Sequence, residues 1–268
     1  MNQPQRRKRA VSDILEGGAV LAARNILTLL RVTAPLTLPL GLLFSAAVVW
    51  LANSSGSRNL AIGVLAPVTV LYVLAAIVSG AACLKVAAEA YDGGRPRAKP
   101  AIALALHRLG PVVCVTLLLL VAAAPAAALI ALPGLKALGN YALLLLILAL
   151  FSLWASGTYS VALAAMLVEE RGIVSSFRRS AELVRGSFFR ALGTVVLGGA
   201  LALFAGVLVA IIVSVFSVGG ESVIAIVTLA GFTLGELLIA PFYVAFLIVL
   251  FGDLRSREQG SSPVAQAS

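Results

Sequence analysis

Residues 169–218 read EERGIVSSFRRSAELVRGSFFRALGTVVLGGALALFAGVLVAIIVSVFSV, and the change of character midway decides the fold. From Leu192 to Val218 no charged residue interrupts the apolar run, which exceeds the about 20 residues a helix needs to cross a bilayer. In lipid such a run is helical, because no open strand edge can satisfy its backbone groups there. Upstream, Gly172–Phe189 changes period. Ile173, Phe177, Val184 and Phe188 share one helical face, while Arg178, Glu182 and Arg185 share another, the pattern of a helix lying on a membrane surface. One amphipathic helix followed by one apolar span is therefore the local unit.

Working outward, the same alternation covers most of the 268 residues. Apolar spans fall near 32–52, 60–84, 109–132, 141–168, 192–218 and 222–252. Short Asn-, Ser-, Gly- or Pro-bearing turns join the first to the second, the third to the fourth and the fifth to the sixth, which makes three hairpins. The expected fold class is all-α, a polytopic membrane protein of six transmembrane helices as three hairpins, each preceded by a cytoplasmic interfacial helix. The first of these helices is placed over Asp13–Arg31, with Asp13 and Glu16 set like a capping box, and the second over Ala98–Leu109. Residues 1–12 form a basic cytoplasmic arm ahead of a 13–258 membrane domain, and the polar residues 259–268 are expected to be a disordered tail. The pentapeptides Leu109–Val113 and Val196-ending Leu192–Val196 match at an offset of 83 residues, which suggests an internal repeat of the unit.

Composition agrees. With 61% hydrophobic and 12% charged residues, the chain lacks the polar shell of a soluble protein, whose charged share is about a quarter. Its net charge of +9 raises a nucleic-acid partner, but the basic residues stand beside spans rather than in one patch, so no nucleic acid is expected. Eighteen of the 20 Lys and Arg fall on one side of the six-span arrangement, leaving Arg58 and Lys136 on the other. The positive-inside rule makes the basic side cytoplasmic, with both termini there, in a multi-pass protein of the cell membrane. The start Arg6-Arg7-Lys8-Arg9 reads as part of an uncleaved anchor, since about 20 residues of mixed polarity separate it from a full-length span.

Candidate functional residues are few. Glu236 stands near the middle of its span, where a carboxylate costs roughly 3 kcal/mol. It is either an ion- or proton-coupling carboxyl or a contact for a polar substrate, or else a protonated group bonded to a hydroxyl of a neighbouring helix such as Tyr159, Ser156 or Thr158. Arg178, Arg179, Arg185 and Arg190, with Phe188 and Phe189, form a candidate contact for anionic lipid headgroups or a membrane protein partner. Gly231 and Gly235 have the GxxxG spacing of close helix packing. His107, the sole histidine, has no second ligand in sequence, and Cys83 and Cys114 belong to no CxxC pair, so neither metal nor cofactor is expected. No nucleophile–base pair is legible and the expectation is not an enzyme. The leading functional reading is a non-enzymatic membrane module contacting lipid or a partner through its basic interfacial helices. The alternative is a small transporter or permease using Glu236.

Glu169-Glu170-Arg171-Gly172, Arg178-Arg179-Ser180, Leu183-Val184-Arg185-Gly186 and Phe188-Phe189-Arg190, with Pro241 and Asp253-Leu254-Arg255 followed by Arg257, resemble motifs of the membrane domain family of bacterial glycerophosphoryl diester phosphodiesterases. Ala181 and Glu182 depart from that family's pattern of Trp and a basic residue. The resemblance implies an integral membrane module of the bacterial cytoplasmic membrane. The phosphodiesterase chemistry, which those enzymes keep in a separate soluble barrel, does not carry over.

Overall fold

The computed structural model describes residues 10–53, 58–131, 142–215 and 221–261. Within them the regular structure is entirely helical: α1 (Val11–Asn53), α2 (Arg58–Tyr91), α3 (Ala98–His107), α4 (Leu109–Ala131), α5 (Ala142–Tyr159), α6 (Ala162–Val168), α7 (Ile173–Val184), α8 (Phe188–Val215) and α9 (Glu221–Ser261). Four stretches are long and apolar enough to cross a membrane: Val11–Val48, Gly63–Tyr91, Leu146–Val168 and Thr233–Glu258. A fifth arises if α3 and the start of α4, bent by 80° at Arg108, are taken as one span, and Phe188–Leu201 is a shorter apolar helix. Leu118, Val121, Leu150, Phe151, Leu201, Phe204 and Ile211 present their side chains outward, an apolar exterior that only a lipid-like surrounding accommodates.

The helices pack in a closed circuit. α1 lies against α2, α2 against α4, α4 against α5, α5 against α8, α8 against α9, and α9 against α1, with α2 also meeting α9 across the middle. Small residues permit the closest contacts. A Cβ on Gly18 would come within 2.9 Å of the Phe246 backbone, and one on Gly41 would overlap Thr233, so α1 and α9 approach nearly backbone to backbone. Hydroxyls buried in this interior satisfy themselves locally: Thr33, Thr37 and Ser45 each donate to the carbonyl four residues before.

Several element boundaries differ from the sequence expectation. The expected surface helix over Asp13–Arg31 and the span after it are one continuous α1, because Ile14, Gly18, Ala22 and Leu29 form a single inward stripe and nothing breaks the backbone ladder between them. Its start lies two residues earlier, at Val11, and the Ala10 N–H before it donates to Asp13 Oδ2, so Asp13 closes the box rather than opening it. The second surface helix is separate, as α3, and ends at the bend. The third is α7, which stops at Val184. Gly186, at φ +81°, turns the chain and assigns Phe188 to the next helix. The fourth expected span is interrupted at Ser160–Val161, between α5 and α6. At the other end, α9 continues past the expected limit of its span to Ser261, so Asp253, Arg257 and Glu258 ride on helix. Residues 1–9 and 262–268, which contain most of the basic arm and of the tail, lie outside the described residues, as do the expected turns around 54–57, 132–141 and 216–220.

Candidate functional site

The charged residues gather at one end of the circuit, where α6, α7, the start of α8 and the extension of α9 meet. Local sequence sets this up. α6 ends at Val168, and Glu170 adopts the left-handed region at φ +54°, reversing the chain ahead of Gly172. α7 then lays Ser176, Ser180, Leu183 and Val184 against the bundle. The Ser180 hydroxyl donates to the Thr158 carbonyl at 2.8 Å, and the Phe177 ring meets Tyr159 edge to face at 5.2 Å. The apolar side that was expected to rest on lipid thus rests largely on protein.

Two ion clusters tie the segments together. The Arg179 guanidinium donates two bonds to Glu258 of α9, at 2.5 and 2.6 Å, and its Nε donates to Glu169 at 3.1 Å. Arg179 is 12% exposed and Glu169 13%, so this is an internal clamp. The bonds to Glu258, opposed by partial burial and reinforced by Glu169, hold the Arg179 proton more tightly than in water. Arg171 also donates to Glu169, at 2.7 Å. In the second cluster Asp253, 7% exposed, stands 2.9 Å from Arg257 and 3.5 Å from Arg190. These are ion pairs by distance, without hydrogen-bond angles at the buried atoms. Farther round, Arg108 donates to the Met166 carbonyl at 3.2 Å and reaches Glu170 at 3.7 Å.

The four candidate arginines therefore divide. Arg179 and Arg190 point inward and hold α7 and α8 to α9. Arg178 is exposed on α7, paired along the helix to Glu182 at 3.1 Å, and Arg185 is exposed just past its end. Two apolar side chains of the same segment are left almost bare: Val174 of α7, 81% exposed, and Phe189 of α8, 85%. The acidic partners Glu169, Asp253 and Glu258 were missed as site residues in sequence. The i, i+4 spacing of Asp253 and Arg257 was the one local sign of them.

Glu236 lies within α9, about 24 Å along the helix from Gly252, but its side chain is outside those described. The partners suggested for it, Ser156, Thr158 and Tyr159, sit at the end of α5 beside α7, whereas α9 packs chiefly on α1, α8 and α2. Gly231 and Gly235 are buried within the chain. His107 is exposed at the end of α3, and among the described residues no three His, Cys, Asp or Glu side chains gather as metal ligands would.

A cavity of about 230 Å³ opens at this same end between α2, α6 and α9. Gly252 shapes it: a Cβ there would overlap the Tyr91 ring, which lies across α9. No family model, curated protein or solved structure matches the chain.

Proposed function

We propose that the chain is an integral protein of the cell membrane with six spans in three hairpins and both termini cytoplasmic, serving as a non-enzymatic module that contacts anionic lipid or a membrane partner. Membership of the phosphodiesterase-associated membrane domain family, without its catalytic domain, is part of this proposal and rests on the motif resemblance alone. The observation that carries the contact reading is the segment from α7 to the start of α8, where Arg178 and Val174 of α7, Arg185 just after it and Phe189 in the first turn of α8 are all exposed. Cations flanked by bare apolar side chains suit the boundary between headgroups and acyl chains. In this reading Arg179 and Arg190 position the surface, and Arg178 and Arg185 meet the lipid.

The test is native mass spectrometry of the full chain titrated with phosphatidylglycerol in mild detergent. At about 1 kcal/mol per basic residue, Arg178→Gln with Arg185→Gln weakens retention about 30-fold. Unchanged retention in the double variant defeats the reading.

A second reading, a small transporter, draws on the mid-helix position of Glu236 in α9. It requires water at that depth. A cysteine at position 236 that resists a water-soluble maleimide in the bilayer ends it.

A further inference from the structure

The cavity at the charged end has a chemistry of its own. Its buried wall is apolar, from Ala88 on α2 and Ile248 and Phe251 on α9, with Val168 at the end of α6. Its exposed mouth carries Asp92 and Arg255. Asp92 is fixed there by the end of α2: its N–H donates to the Ala88 carbonyl, and Gly93, at φ +77°, turns the chain so that the Gly94 N–H returns to Glu89. Arg255 is presented by the extension of α9, one turn beyond Phe251. Most acids at this end stand within ion-pair distance of a neighbour; Asp92 and Arg255 do not, although Arg255 lies close enough to Glu258 to favour its charged form. The nearby Glu258 carboxylate is held by Arg179.

A cavity with opposite charges at its mouth selects by elimination. A simple anion meets Asp92 unfavourably and a simple cation meets Arg255 unfavourably. A zwitterion with a short body answers both. Arg255 offers a planar fork suited to a phosphate, and Asp92, an acceptor only, adds charge-assisted hydrogen bonds to a primary ammonium that a quaternary one, without N–H, cannot make. The volume equals that of about eight waters, which fits a headgroup rather than a drug-sized molecule. We infer that the cavity between α2, α6 and α9 binds a phosphoethanolamine group, its phosphate at Arg255 and its ammonium at Asp92, with the adjoining carbon chain against Phe251 and Val168. The inference goes beyond the contact surface on α7 and does not depend on it.

The group has two sources, a phospholipid headgroup and a free phosphomonoester, and one experiment separates them. The full chain is placed in nanodiscs of phosphatidylcholine containing a minority of phosphatidylethanolamine, and retained lipid is read by native mass spectrometry with and without soluble O-phosphoethanolamine. Phosphatidylethanolamine is retained in preference to phosphatidylcholine. Asp92→Asn cuts that preference about tenfold, the loss of one charge-assisted hydrogen bond, whereas Arg255→Gln weakens retention of both lipids about tenfold, since both carry the phosphate. Val168→Phe removes the preference by filling the cavity. Displacement by O-phosphoethanolamine identifies the headgroup alone as sufficient, and retention against it identifies the lipid as the source. Equal retention of the two lipids by the wild type, with no binding of O-phosphoethanolamine, overturns the inference, as does a preference that survives Asp92→Asn or a retention of both lipids unchanged by Arg255→Gln. Both polar variants lie on exposed side chains, so the result stands even where Val168→Phe does not fold. The phosphatidylglycerol titration of the α7 variants is read separately, and its failure leaves this outcome untouched.

Discussion

Arg178 and Arg179 are neighbours in sequence with opposite surroundings, since adjacent helix positions point about 100° apart. Arg178 is 83% exposed with one surface partner, whereas Arg179 is 12% exposed between Glu169 and the half-exposed Glu258. Removing Arg179 leaves two carboxylates uncompensated, one of them screened by water, at a cost of about 1.5 kcal/mol. Arg179→Gln is accordingly expected to lower the melting temperature clearly in mild detergent, and Arg178→Gln to shift it little, within about 0.5 kcal/mol. Equal melting of the two variants contradicts the clamp. The sequence shows four arginines on one segment and an amphipathic period that puts Arg178 on an exposed side, although Arg185, expected on the same helix, follows its end at Val184. It does not show which of the four turn inward, because the deciding partner of Arg179 is 79 residues away. The rim pair Asp92 and Arg255 was illegible for the same reason, being brought together by packing and not by spacing.

Hydropathy locates helices well and their ends poorly, as α1, α2 and α9 illustrate. An apolar run ends where water begins, but the backbone ladder continues as long as packing supports it. Thus α2 runs beyond the expected Leu84 through Lys85 and Glu89 to Tyr91, and α9 beyond Gly252 to Ser261, delivering the charges that build the site. The amphipathic period over Asp13–Arg31 was read as a surface helix, yet its inward stripe serves contact with α9. Gly18 marks that contact: even one methyl group would meet the Phe246 backbone, which cannot yield as a side chain can. Gly18→Val is expected to destabilise the protein by at least about 2 kcal/mol, and Gly17→Ala, whose nearest neighbour is the Val249 side chain at 3.5 Å, to have little effect. Thermal unfolding of both variants by intrinsic fluorescence checks the difference. A neutral Gly18→Val places the helices farther apart than described.

For the whole molecule, the circuit of contacts returns the last helix to the first, and the short helices α3 and α7 each pack on the end of the helix before them, α2 and α6. The matching pentapeptides at Leu109 and Leu192 begin the helices that follow, in the first turn of α4 and the second turn of α8. This much of the suggested repeat is visible as a shared order of elements. The circuit also gathers the basic residues of α7, α8 and α9 at one end, the arrangement the charge asymmetry of the sequence anticipated. We propose that this basic end faces the cytoplasm across six spans. It is tested most directly by single cysteines in a Cys83→Ala, Cys114→Ala background, labelled in intact cells with a membrane-impermeant maleimide. The account predicts labelling of Ser55→Cys, Ala137→Cys and Gly219→Cys from outside, and labelling of Asn2→Cys, Ser175→Cys and Ser262→Cys only after permeabilisation. External labelling at position 2, 175 or 262, or protection at any of the three turns, would contradict it.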